Sequence, residues 1–187
     1  MKRFLAVLTL ACASSLAGAA DTYVIDPNHT LPMFEISHFG FSTTRGGFTG
    51  TKGTVVLDRA QKTGSVDIMI DVNSLQTAVP KLDEHLKKGD FFDVEMFPTI
   101  TFKSNRLKFD GDTLVAVTGD LDMHGVSRPV TLDVTHFRCG EHPMKKVPHC
   151  GADAVATLKR SDWGITTYTP MIGEEVTLKI QVEATKQ

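Results

Sequence analysis

Three runs in this chain alternate apolar and polar residues with a period of two, which constrains the fold more than any other feature. Val66, Ile68, Ile70 and Val72 alternate with Ser65, Asp67, Met69 and Asp71. Val130, Leu132 and Val134 alternate with Thr131, Asp133 and Thr135. Val176, Leu178, Ile180, Val182 and Ala184 alternate with Thr177, Lys179, Gln181 and Glu183. Successive side chains of a strand point to opposite faces, so each run has one dry and one wet face, as antiparallel strands do.

Weaker runs lie at 22–26, 32–39, 48–58, 113–122 and 152–160, separated by turn residues at 62–64, 110–112 and 124–125. Asp110 and Gly111 stand between Leu107/Phe109 and Leu114/Val115, a hairpin signal because a primed turn needs positive φ. The pattern predicts about eight or nine strands in one all-β domain over residues 20–187. Such strands fit a sandwich or a closed antiparallel barrel. A barrel of about eight strands has an interior wide enough for packed side chains or one small ligand, and the pattern leaves both outcomes open.

One segment breaks the period. Pro80 suits a first helical turn, Leu82 and Leu86 fall four apart on one face, and Gly89 closes the turn. Phe91, Phe92, Met96 and Phe97 follow, then Pro98 and a strand from Thr99. Four of the ten phenylalanines beyond Phe4 lie between 91 and 102. A helical insertion of about 80–97, inserted between two strands, is placed to plug or roof a barrel end.

Residues 1–19 read as an export signal: Lys2 and Arg3, an apolar stretch from Phe4 to Leu16, and a small-residue cleavage site at 17–19. The apolar stretch is too short to span a membrane, and Cys12 lacks the setting of a lipoprotein cysteine. Removing Lys2 and Arg3 takes the formal net charge from −2 to about −4. No basic face stands out, which argues against nucleic acid as partner. Only Cys139 and Cys150 then remain, and in an oxidising compartment they read as a disulfide. A metal site of Cys139, His142, His149 and Cys150 matches no familiar zinc spacing.

Catalytic signatures are missing. The chain has no G-x-S-x-G elbow, P-loop or dinucleotide fingerprint. No carboxylate pair is singled out for acid–base work. Arg160, Asp162 and Trp163 read as a strand-end closure, an Arg–Asp pair with the indole packed over a barrel rim. The expectation is no enzyme, no catalytic residue, no catalytic cofactor and no metal.

In order and spacing, the chain resembles the YceI-like family along its mature length. The resemblance rests on 23–26 with His29 and Thr30, Phe34 to His38 with Gly40, and Gly47 with Phe48. It continues through Asp83 to Leu86, Gly89 to Asp93, Phe97 and Pro98, and Phe102. It resumes at Gly119 to Leu121, Gly125 and Val126, Arg128 to Val130, and Arg160 to Gly164. The resemblance implies a periplasmic, lipocalin-like antiparallel barrel around a long apolar cavity, with the insertion at its mouth. It further implies an isoprenoid ligand of quinone or polyprenyl type, a link to respiratory or stress physiology, transient membrane or respiratory-chain contact, and compatibility with a homodimer. On that basis Phe34, Ile36, Leu82, Leu86, Phe91 and Phe92 are candidates for the apolar wall. His38 and His85 are candidates for the mouth. Two other functions stay in view: a quinone-linked electron-transfer accessory, and a stress-protective barrel with a filled core and no ligand.

Overall fold

The protein is represented by a computed structural model that describes residues 20–187. The leader expected at 1–19 lies outside the described residues. Eleven strand segments form one sheet that closes on itself. They are β1 (Asp21–Ile25), β2 (Leu31–His38), β3 (Ser42–Phe48), β4 (Thr51–Asp58), β5 (Thr63–Asp71), β6 (Leu75–Gln76), β7 (Thr99–Asp110), β8 (Thr113–Met123), β9 (Val126–Glu141), β10 (Pro148–Lys159) and β11 (Ile172–Lys186).

Eight staves make the barrel, because three pairs of segments act as one stave each, β6 continuing β5 along the β3 and β4 stave. β1 and β2 run end to end along β11, and β3 and β4 run end to end beside them. Every neighbouring pair is antiparallel, and closure comes from β11 against β1 and β2: Val24 faces Thr185, and Phe34 faces Leu178. Closure removes both sheet edges.

The break between β1 and β2 is a built bulge. Asp26 accepts from the Asn28 backbone N–H at 3.0 Å and from the His29 ring at 3.1 Å. Thr30, buried, donates its hydroxyl to the Glu183 carbonyl and accepts from the Glu183 N–H. The His29 hydrogen bond, the Asn28 N–H and Lys145 together lower the Asp26 pKa to about 2 against the cost of burial.

The expected hairpin is present: Asp110 faces Thr113, and Gly111 takes φ 56°. Cys139 and Cys150 form a disulfide. They face each other across β9 and β10, so the bridge staples the hairpin loop between them, at a sequence separation of 11. His149 is held by Thr185 Oγ1 at 2.9 Å and Glu183 Oε2 at 3.0 Å, with His142 packed edge-on. Among the described residues no group of three or more His, Cys, Asp or Glu is arranged to hold a metal.

The insertion is shorter in helix than expected. The α-helix α1 covers Pro80–Leu86, and the chain from Lys87 to Pro98 is a series of turns. Asp83 braces the entry, its carboxylate accepting the Thr77 backbone N–H at 2.7 Å and the Thr77 hydroxyl at 2.6 Å. The turns are tied back to α1 through Phe92 N–H to the Leu86 carbonyl and Val94 N–H to the Lys87 carbonyl. Among the described residues no helix is long and apolar enough to cross a membrane.

Candidate functional site

The inward faces of the staves do not meet. They enclose a cavity of about 410 Å³, within the range of sites that bury a small ligand. Its wall on β11 is Ile172, Val176, Leu178 and Ile180, one half of the alternation that marked this strand in the sequence. Facing staves supply Ile68, Ile70, Ile100, Leu121 and Leu132. A second chamber of about 130 Å³ continues the lumen toward the opposite end, with Val182 and Ala184 extending the same β11 column. The filled-core form of the structural-barrel reading is therefore wrong: side chains from eight staves leave two apolar chambers unfilled along the axis.

All eight residues expected at the site line the larger cavity: Phe34, Ile36 and His38 from β2, Leu82, His85 and Leu86 from α1, and Phe91 and Phe92 from the following turn. Phe92 packs edge-on against Phe48 at 5.5 Å and lies 6.5 Å from Phe34. Gly46 makes this possible, since a Cβ there would overlap the Phe34 ring. Phe91, buried, stands 5.0 Å from the His85 ring and 6.2 Å from Tyr168. His38 is an exposed residue at the rim, edge-on to Phe39 at 4.6 Å.

The phenylalanine cluster is divided, against expectation. Phe97 turns away from the lumen and packs on His124 at 4.6 Å and over Gly125, whose φ of 73° and lack of a side chain make the space. Met96 is solvent-exposed. Neighbours in a turn point in different directions, so sequence adjacency does not place them together.

The segment between β10 and β11 supplies wall residues that sequence patterning missed: Arg160, Ile165 and Tyr168. It has no periodicity because one side chain organises it. Arg160 is buried and donates to the carbonyls of Gly173 (2.8 Å), Ile165 (3.0 Å), Thr167 (2.8 Å) and Ile172 (3.1 Å), and to Thr169 Oγ1 (2.7 Å). Burial pulls the guanidinium below its ordinary pKa, and Glu174 opposes that shift. The expected Arg160–Asp162 pair is absent among the described residues, since the loop carbonyls outcompete an acid two positions away. Asp162 instead offers its carbonyl to Arg128 at 2.7 Å. Trp163 does not cover the rim either: it is 2% exposed in the core, its Nε1–H donating to the Leu121 carbonyl.

Exposed apolar side chains ring the mouth: Phe39, Phe41, Tyr168 and Met171. The Phe39 N–H donates to the Met171 carbonyl at 2.9 Å, joining the two rim loops. The site is thus an apolar lumen with a greasy rim and a few polar groups near its opening.

A closed eight-stranded antiparallel barrel with an apolar lumen and a helical roof is a lipocalin-like fold. The chain belongs to the YceI-like family, whose domain model matches residues 23–184. A UPF0312 protein of Pseudomonas aeruginosa is 35% identical over 193 aligned residues, covering 100% of both chains. Protein YceI of Salmonella arizonae is 34% identical over 192, again covering 100% of both. Among solved structures, BcnA of Burkholderia cenocepacia matches with a TM-score of 0.74 at 25% identity, over 86% of this chain and 99% of that one. A polyisoprenoid binding domain from Saccharophagus degradans matches in fold, with a TM-score of 0.67 at 15% identity, over 88% and 98%.

Proposed function

We propose that this protein, once exported, binds a long-chain isoprenoid of quinone or polyprenyl type and shields it from water, as a binding protein rather than an enzyme. The observation that carries this reading is the 410 Å³ lumen with an almost wholly apolar wall. Burial at about 25 cal/mol per Å² lets an apolar chain bind there without hydrogen bonds. The tail lies in the lumen against Phe34, Ile36, Leu82, Leu86, Phe91 and Phe92. The head stays at the mouth beside His38 and His85. The fold likeness to the polyisoprenoid binding domain from Saccharophagus degradans favours the same ligand class. The Cys139–Cys150 disulfide favours an oxidising compartment, as the periplasm is. The exposed rim of Phe39, Phe41 and Met171 suits loading at a membrane surface.

The test is to purify the protein from its native compartment, extract it with organic solvent and analyse the extract by mass spectrometry. Co-purifying species with repeated C5H8 units are expected. Several independent preparations free of such species, and no binding of added isoprenoids, would refute the reading.

A further inference from the structure

We infer that a ring of side chains halfway along the lumen sets how much of an isoprenoid tail enters, with Phe102 as the gate. This deepens the isoprenoid reading and rests on it. The larger cavity and the inner chamber of about 130 Å³ share five wall residues: Pro32, Ile68, Phe102, Leu132 and Ile180. These come from β2, β5, β7, β9 and β11, five of the eight staves, so together they encircle the axis. On the mouth side of the ring lie the roof residues of α1, and on the far side lie Leu57 and Ala184.

Phe102 carries the largest side chain in the ring, and the fold holds it in place. It is 7% exposed, and its ring rests over Gly119 of β8, where a Cβ would stand 2.6 Å from the Phe102 Cζ. Any larger residue at 119 would push the ring off this seat.

The chamber sizes give the ruler its scale. An apolar cavity of about 150 Å³ accommodates benzene, six carbons. By that measure the larger cavity takes about three isoprene units of five carbons, and the inner chamber about one more. With the ring closed, a fourth unit stays outside the wall and adds little to affinity. With Phe102 cut back, the chambers merge and the fourth unit is buried.

The test is titration of the mature protein with farnesol (three units) and geranylgeraniol (four units), following Trp163 fluorescence or heat. Straight-chain alcohols of 15 and 20 carbons run in parallel. Wild type is expected to bind the four-unit alcohol no more than about twofold tighter than the three-unit one. Phe102→Ala is expected to raise that ratio to about tenfold or more, since burying only about two of the fourth unit's five carbons already gives that much. Phe102→Leu supplies the same test with milder loss of packing, and circular dichroism confirms that each variant is folded. Equal ratios in wild type and a folded variant overturn the proposal, as does a tenfold gain already present in wild type. If the straight-chain series shows the change in ratio while prenols bind neither variant, the isoprenoid reading fails and the ruler stands. If no chain of either kind binds, both fail.

Discussion

Replacing Arg160 with methionine should destabilise the protein by about 3 to 5 kcal/mol, although methionine nearly fills the same space. Arg160 is 5% exposed and is the donor in five hydrogen bonds that gather Ile165, Thr167, Thr169, Ile172 and Gly173 around one guanidinium. A hydrogen bond to a charged group is worth about 1.5 to 3 kcal/mol, but the sum overstates the loss. Thr167 and Thr169 lie on the mouth loop, where freed oxygens can turn to water, whereas Ile165 is 5% exposed and its carbonyl stays buried. The remaining cost is that of one orphaned buried acceptor and an unmoored loop. Arg160→Lys should recover little, because an ammonium is a point donor and cannot span the fork. Urea unfolding of wild type and both variants measures the loss, with the thermal midpoint expected to fall by about 10 °C in the methionine variant. A ligand titration should weaken in parallel, since Tyr168 and Ile165 lose their seats on the cavity wall. A methionine variant within about 1 kcal/mol of wild type, with an unchanged denaturant slope, would refute this account of the mouth.

Three further outcomes follow from other parts of the barrel. Reducing the Cys139–Cys150 disulfide, or replacing both cysteines with serine, should cost about 2 to 3 kcal/mol in urea unfolding; two free thiols in the denatured, unreduced protein would contradict the bridge. Thr51→Val should stabilise the protein by about 1 kcal/mol, because the Thr51 hydroxyl is buried without a hydrogen-bond partner among the described residues; a lower thermal midpoint would show a partner at that oxygen. Asp26→Asn should cost up to about 1 kcal/mol at neutral pH after solvent screening. The Asp26 carboxyl has a lowered pKa in the fold, so its contribution is full above the unfolded value of 3.8 and is lost as pH falls through about 2. Unfolding curves of wild type and variant should therefore converge on acidification, and a constant gap down to pH 2 would remove Asp26 as their cause.

The staves were legible where one face is buried, because burial forces the period-two pattern that β5, β9 and β11 display. β3 was not legible, and its packing says why. Its sequence, Ser42–Phe48, contains Gly46 and Gly47 where side chains would collide with Phe34 and Pro32. The close approach that seats the aromatic cluster thus erases the alternation that would have announced the strand. The same conflict hides the 160–172 segment. Its order comes from one buried cation reaching four backbone carbonyls and a threonine hydroxyl, acceptors that carry no residue-type signal.

The residues that carried the family resemblance fall into two physical groups, one that lines the lumen and one that holds the strands in place, with Thr30 of the second also bordering the inner chamber. Phe34, His85, Phe91 and Phe102 stand on the cavity wall. Asp26, His29 and Thr30 build the bulge that lets one stave change from β1 to β2 while staying bonded to β11. Trp163 and Gly125 fix the strand ends beneath the roof. The second group uses hydrogen bonds and close approaches, which depend on residue identity and leave a readable motif. The lumen uses apolar area, which leucine, isoleucine and valine supply almost interchangeably. A motif can therefore identify the barrel without naming its guest. The guest is read instead from the shape of the lumen, where Phe102 and the ring around it divide a wide outer chamber from a small inner one.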